Sequence, residues 1–239
     1  MNNLEKDNKT GLWYRPEKGE LHVLREQNQY KAIDFEGKRV MDVGANIGAF
    51  THLALTNGAC AVNAYEPMPE TFDVLKLNIE KMFENTSDLK AEVNIDNVAL
   101  VYRLETPTID FYLSHKYPSC NTMIPVRGRE TIQVECLGFW DEMRDFKPEV
   151  LKIDIEGGEY SLKLPDEGIP DYVEQIAIEL HMSKKGSVEK ALQIVGLFED
   201  WHVHRKFKFN WHVTTLVLHR TKHNMGTVKQ WMKNIQIQK

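Results

Sequence analysis

The chain has 239 residues, which fits one large domain or one domain with short extensions. Hydrophobic residues make up 42% and charged residues 27% of the chain, as in ordinary globular proteins, and no apolar run is long enough to span a membrane. The three cysteines form no CxxC pair, and the polar N-terminus does not resemble a signal peptide. We therefore expect a cytoplasmic protein without a cysteine-based metal site.

The net charge of −5 hides an uneven distribution along the chain. Residues 201–239 contain no Asp or Glu but eight Lys or Arg. A basic segment of this kind attracts phosphate, or else it forms an ordinary solvated surface. Nucleic acid therefore stays open as a partner of this C-terminal segment.

The first half of the chain alternates between strand and helix patterns after an uninformative start. Residues 1–37 show no clear periodicity, and we interpret them as an N-terminal cap or extension. Apolar runs then predict strands, and apolar residues at helical spacing predict helices. These elements are a strand over Lys38–Gly44, a helix over Ala49–Leu55, a strand over Cys60–Tyr65, a helix over Met68–Phe83 and a third strand region over Val93–Val101.

The second half continues the alternation after an irregular stretch over Thr106–Gln133, which holds a short strand-like piece at Ile109–Leu113. Strands alternating with helices are typical of a mostly parallel sheet with helices on both faces. We place one domain over residues 38–220, followed by a basic tail over 221–239. The predicted elements are Val134–Met143 leading into a helix, a strand over Glu149–Ile155, a strand over Gln175–Leu180, a helix over Val188–Phe198, and an antiparallel pair over His202–Phe209 and Trp211–Leu218.

A glycine turn follows the first strand and predicts a ligand site. Glycine lets the backbone pass close to a ligand, and the N-terminus of the next helix favours polar groups. The spacing Gly44-x-x-x-Gly48, with Asn46 between, fits a dinucleotide pyrophosphate poorly because that ligand calls for G-x-G-x-x-G. Glu66 ends the second strand about twenty residues later, where a carboxylate can bind the two hydroxyls of a ribose.

Four motifs in order resemble the FkbM-type methyltransferases, a family of class I S-adenosylmethionine enzymes. The resemblance covers about Val40 to His181, and its most specific part is Lys-Ile-Asp-Ile-Glu-Gly-Gly-Glu. The motifs are Val40–Gly48, Ala64–Pro67, Asn97–Leu100 and Leu151–Glu159.

The resemblance implies a Rossmann-like, seven-stranded sheet with an antiparallel last strand and S-adenosyl-L-methionine as the cofactor. It implies that Asp42 and Gly44 lie by the methionine part of the cofactor, Glu66 by the ribose, and Asn97-Val98 by the adenine. It also implies that His115–Arg129 governs the choice of substrate. The cofactor-binding residues that we predict are Asp42, Gly44, Asn46, Gly48, Glu66, Pro67, Asn97, Val98 and Asp154.

Acidic side chains and one imidazole follow two later strands. Asp154, Glu156 and Glu159 follow one strand end, and Glu179 with His181 follows the next; ligands of open α/β sheets bind at these ends. Methyl transfer to oxygen requires a group that takes the proton of the hydroxyl. We predict Asp154, Glu156 and His181 as catalytic, with Asp154 the first choice for the base. A divalent metal held by these acids is an alternative that we do not favour.

Three functions remain open at this point. The first is O-methylation of a hydroxyl on a small molecule or sugar. The second is methylation of an RNA ribose or cap, which the basic C-terminal segment would favour. The third is a cofactor-binding scaffold without turnover, which has no need of the acids after the later strands.

Overall fold

The computed structural model describes residues 3–86, 89–114, 117–182, 187–203, 212–221 and 226–235. Within these ranges the strands are β1 (Glu5–Lys6), β2 (Trp13–Tyr14), β3 (Arg39–Val43), β4 (Ala61–Tyr65), β5 (Glu92–Asp96), β6 (Ala99–Val101), β7 (Thr108–Tyr112), β8 (Thr131–Gly138), β9 (Val150–Ile153), β10 (Gln175–His181), β11 (His202–Val203) and β12 (Val213–His219). The α-helices are α1 (Glu20–Glu26), α2 (Ala49–Thr56), α3 (Pro69–Asn85), α4 (Phe139–Phe146), α5 (Leu164–Glu167), α6 (Ser187–Gly196) and α7 (Val228–Ile235).

A seven-stranded sheet in the order β11-β12-β10-β9-β3-β4-β5 forms the centre of the domain. The strands from β10 to β5 run parallel to one another, and β12 is antiparallel to both of its neighbours. This is the predicted Rossmann-like α/β fold with an antiparallel last strand. Strand β9 is buried along its whole length, which explains its short run of mostly apolar residues.

Two apolar clusters cover the two faces of this sheet. Alternate residues of a strand point to opposite faces, so Met41 of β3 belongs to one cluster and its neighbour Val40 to the other. Helices α4 and α6 pack on the first face, and helices α2 and α3 on the second. Their buried residues are Phe139, Met143, Ala191 and Ile194 on one side and Phe50, Ala54, Leu75 and Ile79 on the other.

A second sheet of three strands, β6-β8-β7, replaces part of what the sequence pattern predicts as irregular. The predicted third strand region divides in two: β5 joins the edge of the main sheet, whereas β6 pairs with β8. Strands β7 and β8 pair antiparallel from Thr108–Glu135 to Tyr112–Thr131. The three prolines of this stretch lie outside the strands, so they interrupt the pattern without preventing the pairing.

The N-terminal segment is fixed to the sheet domain by buried side chains. The amide of Asn78 on α3 accepts a hydrogen bond from the backbone of Trp13 at 2.7 Å and donates one back to it at 3.0 Å. The amide of Gln175 makes the same two-way exchange with the backbone of Asp34 at 2.9 and 2.7 Å. Both amides are almost completely buried, so these bonds lie out of competition with water.

The C-terminal part adds β11 and β12 to the sheet and ends in α7. Val228 of this helix is completely buried in the core, within the stretch that the sequence pattern presents as a basic tail. The predicted pairing of the last two strands is present at His202–His219 and Val203–Leu218. The rest of that predicted pair, over residues 204–211, lies outside the described residues. No helix in the described part of the chain has the length and apolar character of a membrane span.

Candidate active site

A cavity of about 310 Å³ opens at the carboxyl ends of the central parallel strands. Three parts of the chain line it: the cap, the turns after β3 and β4, and the loops after β9 and β10. Residues of the stretch predicted to govern substrate choice also reach it, among them Cys120 and Met123. The cavity therefore lies at the edge of the sheet where open α/β folds bind their ligands.

Gly44 forms the floor of this cavity. Its backbone has a φ of +83°, a left-handed conformation that glycine adopts at little cost, and a Cβ at this position would overlap the carbonyl oxygen of Asp154. The amides of Gly44 and Ala45 donate to the carbonyl of Tyr65 at 3.0 and 2.9 Å. The first and second parallel strands thus continue into one close-packed turn.

Lys152 fixes this turn from below. Its ammonium group, on a side chain that is only 5% exposed, donates to the carbonyl of Gly44 at 2.5 Å. The same group lies 3.3 Å from Oδ1 of Asp42 and 3.7 Å from Oδ2 of Asp154. Burial alone would lower the pKa of Lys152, but the charges of Asp42 and Asp154 raise it above its usual value.

Glu66 lies at one end of the cavity and is almost completely buried. Its carboxylate accepts hydrogen bonds from the amides of Asn46 and Met68, both at 2.9 Å, which hold it between the glycine turn and the start of α3. Burial raises the pKa of Glu66 to about 7, although the two amide bonds oppose the shift. Val98 and Phe111 give this end of the cavity an apolar wall.

The predicted cofactor residues divide into those that line the cavity and those that support it. The lining residues are Gly44, Asn46, Glu66, Pro67, Val98 and Asp154. The other three lie behind the wall. Asp42 is completely buried between Lys152 and the hydroxyl of Thr51, the side chain of Asn97 donates to the carbonyls of Glu66 and Pro67, and Gly48 packs against Leu75.

Asp154, Glu156 and His181 meet at the other end of the cavity, where one ligand atom from each lies within 4.8 Å of the others. Glu156 has a φ of +53°, a left-handed conformation that is rare outside glycine. The hydroxyl of Thr122 donates to its carbonyl at 2.8 Å and holds it there. Backbone strain of this kind clusters at functional sites and points to Glu156.

His181 is held between carboxylates on both sides of its ring. The carboxylate of Glu159, which is completely buried, lies 3.3 Å from Nδ1. It also accepts hydrogen bonds from the backbone amides of His181 at 2.6 Å and Gly157 at 2.8 Å. Nε2 faces Glu156 at 3.4 Å and Glu179 at 3.8 Å. Burial would lower the pKa of His181, but the hydrogen bond to Glu159 and the nearby carboxylates raise it to about 9.

The two carboxylates that face Nε2 of His181 have pKa values near neutrality. Burial raises the pKa of Glu156 to about 7, with His181 opposing and Asp154 adding to the shift. Burial and the charge of Asp154 raise the pKa of Glu179 to about 8. The three predicted catalytic residues also have the spacing of a cation site. With carboxyl groups that titrate near neutrality, the site is suited to moving a proton at neutral pH.

Sequence reasoning did not assign a role to several residues that shape this cavity. Glu159 and Lys152 lie inside the most specific motif, and their near-complete burial is the feature that distinguishes them. The cap contributes Glu26, Gln27 and Tyr30 to the lining. Nothing in the local pattern of residues 1–37 indicates this, because the position of α1 depends on anchors that are distant in sequence.

The chain is similar to several solved structures and matches one family model. Among solved structures, an FkbM methyltransferase from Methylobacillus flagellatus KT is 16% identical over 77% of this chain, with a TM-score of 0.48, and this chain covers 44% of that protein. TrmK from M. capricolum, solved with S-adenosyl-homocysteine, is 12% identical over 83% of this chain and 69% of its own, with a TM-score of 0.45.

The magnesium protoporphyrin IX methyltransferase from Synechocystis PCC 6803, solved with bound SAM, is 9% identical over 91% of this chain and 86% of its own, with a TM-score of 0.45. No curated protein sequence matches the chain significantly. The sequence model of the methyltransferase FkbM domain matches residues 42–203, well over half of the chain. The chain therefore belongs to the FkbM methyltransferase family.

Proposed function

We propose that this protein is an S-adenosylmethionine-dependent methyltransferase that methylates a hydroxyl of a small molecule or sugar. The observation that carries the proposal is a single cavity with Glu66 at one end and the Glu156–His181 pair at the other. The first end has the groups that bind a nucleoside, and the second has a base that titrates near neutral pH.

The residues at the Glu66 end fit the cofactor. A buried carboxylate that faces the cavity can accept hydrogen bonds from the hydroxyls of a ribose, and the apolar wall at Val98 can pack against an adenine. The carboxylates at the other end can attract the positively charged sulfonium of the cofactor electrostatically. When bound, S-adenosylmethionine supplies an electrophilic methyl group. Glu66, Asn46 and Val98 would hold it, above the turn at Gly44.

Glu156 is the base that the geometry favours. The sequence pattern favours Asp154, but Asp154 pairs with the buried ammonium of Lys152, whereas Glu156 has a pKa of about 7 and faces His181. We assign to Glu156 the removal of the hydroxyl proton as the acceptor oxygen is methylated. The His181 imidazolium, oriented by Glu159, stabilises the carboxylate form of Glu156. Asp154 remains the residue that we place against the cofactor or the acceptor.

The cofactor end generates the first prediction. We expect Glu66→Ala to weaken the binding of S-adenosylhomocysteine by about 1–3 kcal/mol, because two buried ribose hydroxyls lose their acceptor. Isothermal calorimetry measures the change, and Glu80→Ala, an exposed carboxylate on α3, is the matched control with unchanged affinity. Folded parent protein that binds neither S-adenosylmethionine nor S-adenosylhomocysteine would remove the proposed function.

The second prediction concerns the base. We expect Glu156→Gln to lower turnover by roughly 10²–10⁴-fold and to leave S-adenosylhomocysteine binding near normal, since the amide keeps the shape of the side chain but cannot take a proton. In the parent, kcat/KM should rise with pH through about 7 as Glu156 ionises. Asp154→Asn is the comparison. If it abolishes turnover while Glu156→Gln is as active as the parent, the base is Asp154.

The third prediction concerns the orientation of His181. We expect Glu159→Gln to lower the pKa of His181 from about 9, because the amide supplies no negative charge beside Nδ1. NMR titration of the imidazole measures the pKa of His181. Glu189→Gln, which removes an exposed carboxylate, is the control and should leave this pKa unchanged. A raised pKa in the folded state stabilises the fold below about 6.5, the usual value, and this stabilisation disappears as the pH rises through about 9. A His181 pKa that is equal in parent and variant would contradict the role of Glu159.

A further inference from the structure

We propose that the cap forms one wall of the acceptor subsite and that Glu26 selects an acceptor carrying both hydroxyl groups and an ammonium group, such as an aminosugar, over an acceptor carrying phosphate. This inference rests on the proposed function, because it concerns the second substrate of the same cavity. It assigns a substrate class and a specificity-determining residue to the cavity from the charge and hydrogen-bonding character of its walls.

The cap is part of the cavity and is held there rigidly. His22, Glu26 and Tyr30 line the same cavity as Glu156 and His181. Tyr30 is only 3% exposed and packs edge-on against Phe50 of α2 at 5.1 Å between ring centroids. With the buried amide anchors at Asn78 and Gln175, this packing fixes the position of α1. Glu26, the last residue of α1, thus faces the reacting end of the cavity from the opposite wall.

The positive charges in the cavity wall are already paired. Lys152 is the only Lys or Arg among the described residues that line the cavity, and it is buried against Gly44, Asp42 and Asp154. Both ring nitrogens of His181 face carboxylates. Among the described lining residues, an incoming phosphate would therefore meet no unpaired cation, and ionised carboxylates would repel it.

Among the described residues that line the cavity, carboxyl groups outnumber these cations. Four of them lie at the reacting end: Glu26 on α1, Asp154 and Glu156 in the loop after β9, and Glu179 on β10. In the described part of the chain, Glu26 pairs with His22 at 3.1 Å, and the side chain of His22 is 81% exposed. Burial raises the pKa of Glu26, with His22 opposing and the charge of Asp154 adding to the shift. A cationic group of the acceptor would relieve this crowding.

The hydrogen-bonding character of this wall follows from its carboxyl groups. An ionised carboxylate accepts hydrogen bonds and donates none, so this wall favours a ligand that carries O–H and N–H donors.

The experiment compares three sugars that share one ring and differ in charge. Glucosamine, glucose and glucose 6-phosphate are titrated by NMR into protein saturated with S-adenosylhomocysteine, at a pH where the amine is protonated. We expect glucosamine to bind about 3- to 10-fold more tightly than glucose, and glucose 6-phosphate to bind least. Glu26→Gln should reduce the preference for glucosamine by about 3-fold, since Glu26 is partly exposed to solvent.

A matched control and a charge reversal make the test specific. Glu17→Gln removes an exposed carboxylate of the cap that does not line the cavity, and the preference for glucosamine should be unchanged. Glu26→Lys should raise the affinity for glucose 6-phosphate. The inference is overturned if none of the sugars binds, if glucosamine and glucose bind equally, or if Glu26→Gln leaves the preference intact. Normal S-adenosylhomocysteine binding in these samples separates that failure from failure of the proposed function.

Discussion

The buried ammonium of Lys152 is the interaction on which the rest of the site depends. It joins the carbonyl of Gly44, the carboxylate of Asp42 and the carboxylate of Asp154, and so connects the turn after β3 to the loop after β9. Asp42 is completely buried, and without its cation it would be an uncompensated charge in the core. The glycine turn and the start of the acidic loop are therefore fixed by the same group.

The cavity combines two electrostatic regions that serve different tasks. At one end, Glu66 is held by backbone amides and flanked by apolar residues, which suits a nucleoside. At the other end, Glu156 and Glu179 share one protonated imidazole, and their pKa values lie near 7 and 8. Crowded carboxylates keep a base available at neutral pH and favour a cationic cofactor. The same crowding would disfavour a phosphate group placed against these carboxylates.

The sequence predicted the parts of the site that depend on strand ends. The turn at Gly44, the carboxylate of Glu66 and the group of Asp154, Glu156 and His181 lie at or just after the ends of parallel strands, and the fold brings those ends together. Spacing alone could not separate residues that line the cavity from residues behind its wall, because neighbours on a strand point to opposite faces.

Contacts between distant parts of the chain account for what the pattern did not predict. The pairing of β6 with β8 joins segments that are separated by a proline-rich stretch, so no local signal marks it. The place of the cap depends on Asn78 and Gln175, which lie far from it in sequence. Glu26 acquires its position only through that docking.

The most direct test of the central claim, that one cavity holds the nucleoside at Glu66 and the reacting atoms at Glu156, is a crystal structure with S-adenosylhomocysteine. We expect the ribose hydroxyls against the carboxylate of Glu66 and the sulfur on the side of Asp154, Glu156 and His181. Ligand density outside this cavity would contradict the claim. Density inside it with the sulfur directed away from Glu156 would contradict the assigned base.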